Sequence, residues 1–196
     1  MIRKLYKKMV GFYKGDPAHI QHFVKVHSFA KLIGEEEKLD KDTLFVLEAA
    51  ALVHDIGIKP SLERYGRENG KLQEQEGPAC AEAMLKELGF APAVIRRVCY
   101  LVGHHHTYTN IDGMDYQILV EADFLVNYFE SGMSESAIRE SVAKIFKTKS
   151  GTELAKEMFF PEPFQMSETW AQDALQDLED FIEEQGIYIR QKIKGG

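Results

Sequence analysis

The adjacent residues His54 and Asp55 close an apolar run over residues 49–53, and Gly57 follows two positions later. The run predicts a buried helix end, where a carboxylate beside an imidazole is costly unless a partner compensates its charge. A divalent metal ion is such a partner, and it would bring the chemistry of activated water to the site. His54 and Asp55 therefore predict a metal site, and we interpret Gly57 as the residue that ends the helix.

Two further ionisable side chains fall on helix faces that should be buried. His27 lies within the apolar stripe of a helix predicted over residues 18–38, and Asp123 lies within the stripe of a later helix. With His54 and Asp55 they supply two imidazoles and two carboxylates. This donor set suits Mn²⁺, Fe²⁺, Co²⁺, Zn²⁺ or Mg²⁺ and leaves positions open for water and substrate. We therefore predict that all four residues bind one divalent metal ion.

Two other histidines, His19 and His22, lie nearer the start of the same predicted helix. Asp16 and Pro17 precede them and are typical of a helix start, as the N-cap and the first-turn residue. The apolar pattern gives His19 and His22 no comparable support. We predict that both are exposed or half-buried rather than metal ligands.

The rest of the chain shows helical periodicity and no alternating strand pattern. Residues 59–75 are polar and contain glycine, and we predict a long surface loop there. Gly77 and Pro78 are then expected to open the next helix. Towards the end of the chain, residues 167–185 predict a long amphipathic helix.

These patterns predict an all-α fold, a compact multi-helix bundle with additional C-terminal helices. At 196 residues the chain is expected to form a single domain over residues 1–196, with its core at about 18–130. Residues from about 134 to 190 would form the helical extension. The long helix over residues 167–185 could pack on its own core or on a second subunit, and the latter would make a homodimer.

Composition narrows the class of protein further. The 44% apolar and 28% charged residues are ordinary for a globular protein, and the net charge of −7 argues against a nucleic-acid surface. No apolar run approaches membrane-spanning length. The two cysteines, Cys80 and Cys99, lie in helical segments without zinc-site spacing and are interpreted as buried, reduced thiols. We therefore expect a cytoplasmic protein without membrane partners.

The order of His27, the adjacent His54 and Asp55, and Asp123 resembles the HD-domain superfamily of metal-dependent phosphohydrolases. The apolar residues before the His-Asp pair and the Ile-Gly after it add to the match, which covers about residues 18–130. The resemblance implies these four residues as ligands of the main metal ion. It also implies hydrolysis of phosphomonoester or phosphodiester bonds, often in nucleotides, and so a small phosphorylated substrate.

Superfamily members that bind two metal ions carry further histidines between the His-Asp pair and the last Asp. One stands just before the helix that corresponds to residues 79–88, where this chain has Glu76. Others form a pair that His104 and His105 match. The departure at Glu76 favours a mononuclear site, and a second site formed by Glu76 and His104 stays open as the alternative. His106 is predicted to lie in a solvated turn.

The resemblance and the residue types together suggest catalytic roles. Asp55 or Asp123 would orient or deprotonate the attacking water, and His104 or His105 would contact phosphate or protonate the leaving oxygen. Lys59, four residues beyond Asp55, would meet a phosphate as a point charge.

Two other functions use the same residues. A metal-stabilised nucleotide-binding or signalling module would keep the ligands without turnover. An HD-type di-iron oxygenase would need a well-populated second iron site, which the missing histidine at Glu76 disfavours.

Overall fold

The computed structural model describes residues 1–160, and these residues are all-α, as predicted. Within them the helices are α1 (Ile2–Phe12), α2 (Pro17–Glu36), α3 (Lys41–Val53), α4 (Ile58–Tyr65), α5 (Gly70–Glu87), α6 (Pro92–Val102), α7 (Met114–Glu130), α8 (Glu135–Ile145) and α9 (Lys149–Phe159). None of these helices combines the length and apolarity that a bilayer crossing requires. The helix predicted over residues 167–185, and the homodimer that it would allow, lie outside the described residues.

Helix α3 lies at the centre of the described bundle and packs against α1, α2, α6 and α7. Residues 49–53 at its C-terminal end have no exposed surface. Because this end of α3 is buried on all sides, it needs apolar residues on all sides, which explains the continuous apolar run over residues 49–53. Because α3 ends at Val53, His54 and Asp55 leave the helix deep inside the protein.

The helix starts follow local capping chemistry. The Asp16 carboxylate accepts a hydrogen bond from the His19 amide, and Pro17 occupies the first turn of α2, as predicted. The Asp40 carboxylate caps α3 by accepting from the amides of Asp42 and Thr43. These caps fix where α2 and α3 begin, and so which of their residues face each other.

The predicted loop over residues 59–75 is wrong, because α4 and the first part of α5 fill most of it. Asn69 caps α5 by accepting from the Leu72 amide. Helix α5 then continues through Gly77 and Pro78, which were expected to open a helix. Proline removes one backbone hydrogen bond, but packing of α5 against α4 and α6 keeps the helix whole.

Gly57 is needed for a close approach between chain segments and not as a helix stop. Its φ of −71° is available to any residue. A Cβ on Gly57 would lie 2.4 Å from the Gln73 carbonyl oxygen and 2.9 Å from the Gly77 nitrogen, both in α5. The interpretation of Gly57 as the end of the preceding helix is therefore wrong, since α3 has ended at Val53 and Gly57 precedes α4.

We expect Gly57→Ala to lower the free energy of unfolding by about 1–3 kcal/mol, the usual cost of overpacking. The added methyl group meets backbone atoms, which cannot move aside as a flexible side chain would. Gly11→Ala is the matched control, because a Cβ there has no neighbour within 4 Å. Alanine favours a helix over glycine by about 1 kcal/mol, so this control should be neutral or stabilised in urea denaturation. Equal stability of the two variants would contradict the close-approach role of Gly57.

Candidate metal centre

Four side chains from three parts of the fold lie close together next to the C-terminal end of α3. His22 comes from α2, His54 and Asp55 follow α3, and Asp123 comes from α7. His22 Nε2 lies 3.2 Å from His54 Nε2 and 3.2 Å from Asp123 Oδ1. Asp55 Oδ2 lies 3.3 Å from His22 Nε2 and 3.4 Å from His54 Nε2. His22, His54 and Asp123 are buried and could hold a metal ion together.

Backbone and carboxylate acceptors fix the orientation of the imidazoles. His54 Nδ1 donates to the Ala51 carbonyl at 2.9 Å, and His22 Nδ1 donates to Glu130 Oε2 at 2.7 Å. Since each Nδ1 carries the hydrogen, each neutral ring presents the lone pair of its Nε2 to the centre. Acceptors of this kind hold metal-binding histidines in the required tautomer.

The centre therefore gathers lone pairs that only a cation can satisfy. Two Nε2 atoms and two carboxylates converge, and each neutral imidazole would face another acceptor. Either protons or a metal ion must supply the missing positive charge. The donor set of two imidazole nitrogens and two carboxylates fits a divalent metal ion.

The pKa values in the absence of metal show the same demand for positive charge. Burial opposes ionisation of His54, but the carboxylates of Asp55 and Asp123 raise its pKa well above the usual value. Burial also opposes ionisation of Asp55, yet His54 and His105 hold the pKa of its carboxyl well below the usual range. A metal ion that binds here must displace protons, so its affinity should rise with pH.

A second group of candidate ligands shares Asp55 with the first and consists of Asp55, His105 and His106. Asp55 Oδ1 lies 3.2 Å from His105 Nε2, while Oδ2 faces His22 and His54. His105 Nδ1 donates to the Val102 carbonyl at 2.9 Å, so its Nε2 lone pair also faces a carboxylate. The donor set thus fits a second ion beside the first, in contrast to the mononuclear site that Glu76 favoured.

His106 does not lie in a solvated turn, contrary to prediction. Its Nε2 lies 2.6 Å from Gln73 Oε1, and the side chain is half-buried. Burial and the neighbouring His105 lower the pKa of His106 to about 4. His106 is therefore neutral near pH 7 and available as a hydrogen-bonding group or ligand.

His27 is not part of the centre, and the prediction that it binds the metal is wrong. Its Nε2 lies 3.0 Å from Glu48 Oε2, and its ring packs edge-on against Tyr6 of α1. His22 and His27 are five residues apart, which places them about 140° apart around a helix. His22, Val26 and Ala30 instead form the buried row of α2, and this spacing of four was the signal that could have found His22.

Three other residues lie away from their predicted roles. Lys59 Nζ donates to the Phe12 carbonyl at 3.2 Å and lies over the Phe12 ring. Glu76 accepts from Arg64 Nη1 at 2.8 Å and from Tyr65 Oη at 2.9 Å, so both of its carboxylate oxygens already have partners. His104 Nδ1 donates to the Tyr100 carbonyl at 2.7 Å. The second site predicted from Glu76 and His104 is therefore not formed, and His105 and His106 occupy that side of Asp55.

A cleft of about 710 Å³ opens beside the centre. Its lining residues are Pro17, Ala18, His19, Gln21, His22, Lys25, Asp55, Ile58, Glu68, Gln73, His106, Asn127 and Glu130. Sequence reasoning missed Lys25 and Glu130, which form an ion pair of 2.5 Å at the cleft. Asp123, Asn127 and Glu130 share one face of α7 at helical spacing, a signal that could have shown Glu130.

The fold and the centre define an all-α protein with a buried histidine–aspartate site open to a cleft. A family model described as HD domain matches residues 20–148, and the chain belongs to this family. HD domains bind divalent metals and make up a superfamily of metal-dependent phosphohydrolases. Comparison with curated proteins returned no match, and comparison with solved structures returned none.

Proposed function

We propose that the protein is a metal-dependent phosphohydrolase that cleaves phosphomonoesters or phosphodiesters of small metabolites, nucleotides among them. The observation that carries the proposal is the convergence of the Nε2 lone pairs of His22 and His54 with the Asp55 and Asp123 carboxylates. His22 replaces His27 in the ligand set inferred from the sequence. A divalent metal bound there would polarise the phosphoryl group and lower the pKa of nearby water.

The residues of the chain supply the remaining steps. The side chain of Asp55 is 18% exposed and reaches the cleft, so it can orient the attacking water and accept its proton. His105 is next to Asp55, but its side chain has no exposed surface, so His106, which lines the cleft, is the histidine that can hydrogen-bond a phosphoryl oxygen. Lys25 lines the cleft and takes the role of phosphate contact that the sequence suggested for Lys59.

Phosphate release from a panel of esters tests this function. Protein freed of metal with a chelator would be assayed on p-nitrophenyl phosphate, bis(p-nitrophenyl) phosphate and nucleotides, with Mn²⁺, Co²⁺ or Mg²⁺ restored. We expect release that depends on added metal and is lost in His54→Ala. Nucleotide binding without release would favour the signalling module instead. Two irons per chain with oxygen consumption would favour the oxygenase.

A further inference from the structure

The cleft beside the metal centre is rich in acidic groups, and its charge limits which phosphate esters it can accept. We propose that its substrates carry a single phosphoryl group on a polar organic body, and that di- and triphosphates are disfavoured. This inference rests on the proposed function and names its substrate class.

The lining holds three carboxylates, Asp55, Glu68 and Glu130, and Asp123 lies directly behind them in the centre. Of the lining residues in the part of the chain that the structure describes, Lys25 is the one lysine or arginine. Its ammonium lies 2.5 Å from Glu130 Oε1, so part of its charge is already compensated. The cleft therefore offers a phosphate chain few cationic contacts.

The four carboxylates, the Lys25 ammonium and one divalent ion together give the cleft a net charge of about −1. A second divalent ion would change this net charge to about +1. One dianionic phosphoryl group can be balanced by the metal ion and Lys25. Further phosphoryl groups would add negative charge to a lining that already holds Glu68 and Glu130. Recognition of phosphate chains elsewhere often relies on clustered arginine or lysine side chains, and among the described residues Lys25 alone supplies such a side chain to the lining.

The remaining lining residues suit the rest of such a substrate. Gln21, Gln73 and Asn127 present side-chain amides, which can donate to and accept from hydroxyl groups or a base edge. Asn127 Nδ2 donates to Asp123 Oδ1, and Gln73 Nε2 donates to Glu68, so Gln21 is the amide outside these pairs. Ile58 adds an apolar contact surface. The cleft of about 710 Å³ is large enough for a sugar phosphate or a nucleoside monophosphate.

Hydrolysis of AMP, ADP and ATP at constant free Mn²⁺ tests the inference, with ribose 5-phosphate as a second monoester. We expect kcat/KM for AMP to exceed that for ADP and ATP by at least about 10-fold, the ratio for about 1.4 kcal/mol. Thermal shifts with inorganic phosphate and tripolyphosphate give a readout of binding alone, and phosphate should give the larger shift. Equal or faster hydrolysis of ATP would overturn the inference while leaving the hydrolase function intact.

Charge variants at the cleft separate this explanation from simple size selection. Glu68→Gln removes one lining charge, and we expect the ADP/AMP ratio of kcat/KM to rise several-fold. Glu63→Gln, an equal change on α4 outside the lining, should leave the ratio unchanged. An unchanged ratio in Glu68→Gln would overturn the electrostatic selection. If no ester is cleaved, the proposed function fails, and the phosphate and tripolyphosphate shifts still decide which anion the cleft prefers.

Discussion

His22→Ala is expected to weaken the affinity for metal by more than about 100-fold. Loss of a residue that only hydrogen-bonds to a metal ligand costs about 10–100-fold in affinity at comparable sites, and loss of a ligand should cost more. His22 Nε2 lies within 3.3 Å of the nearest oxygens of Asp55 and Asp123. Its removal leaves His54 as the remaining imidazole of the first group. Titration of metal-free protein with Mn²⁺ measures the affinity, and elemental analysis of protein purified without chelator measures the occupancy.

His27→Ala is the matched control on the same helix. Since His27 contacts Glu48 and Tyr6 on the other side of α2, its loss should leave metal content unchanged. The variant should lose about 1–3 kcal/mol of unfolding free energy, because Glu48 loses its partner in a half-buried position. Loss of metal in His27→Ala with retention in His22→Ala would restore the sequence-based ligand set.

The sequence pointed to His27 as the ligand from α2, whereas the structure places His22 at the centre. The apolar pattern could not distinguish these two histidines. Helix α2 buries one face against both α3 and α7, while α1 and α3 half-cover the flank that carries His27. Apolar spacing indicates that a position is covered, but it does not tell which neighbouring helix covers it. His54, Asp55 and Asp123 do lie together, as expected from their positions in apolar segments, where a polar side chain has few alternatives to pairing with another polar group.

The segment after Gly57 was harder to predict because its local signals conflict with its packing. Residues 59–75 are polar, and Gly77 with Pro78 resembles a helix start. Packing against α4 and α6 overrides these signals and carries α5 through Pro78. Helix α5 supplies Gln73, which contacts His106 and lines the cleft. This part of the site could therefore not be predicted from the sequence.

Asp55→Asn is expected to remove the stabilisation that metal gives to the fold while leaving the metal-free fold intact. Asp55 is the residue shared by both ligand groups, with Oδ2 towards His22 and His54 and Oδ1 towards His105. Asparagine keeps the shape but lacks the charge, and its NH₂ group can donate to the Nε2 lone pair of a neutral imidazole. The metal-free variant should therefore still fold, but at a lower unfolding temperature than the wild type, because the ionised Asp55 no longer pairs with His54 and His105.

The two proteins should differ in how much added metal raises their unfolding temperature. When the free metal concentration is 100 times the dissociation constant, binding stabilises the native state by about 2.7 kcal/mol. Asp55→Asn should lose this gain together with metal-dependent phosphate release. Asp112→Asn makes the same chemical change at an exposed carboxylate paired with Arg97, and it should keep the full thermal shift. A full Mn²⁺ shift in Asp55→Asn would show that Asp55 does not bind the metal, and the shared centre would then have to be abandoned.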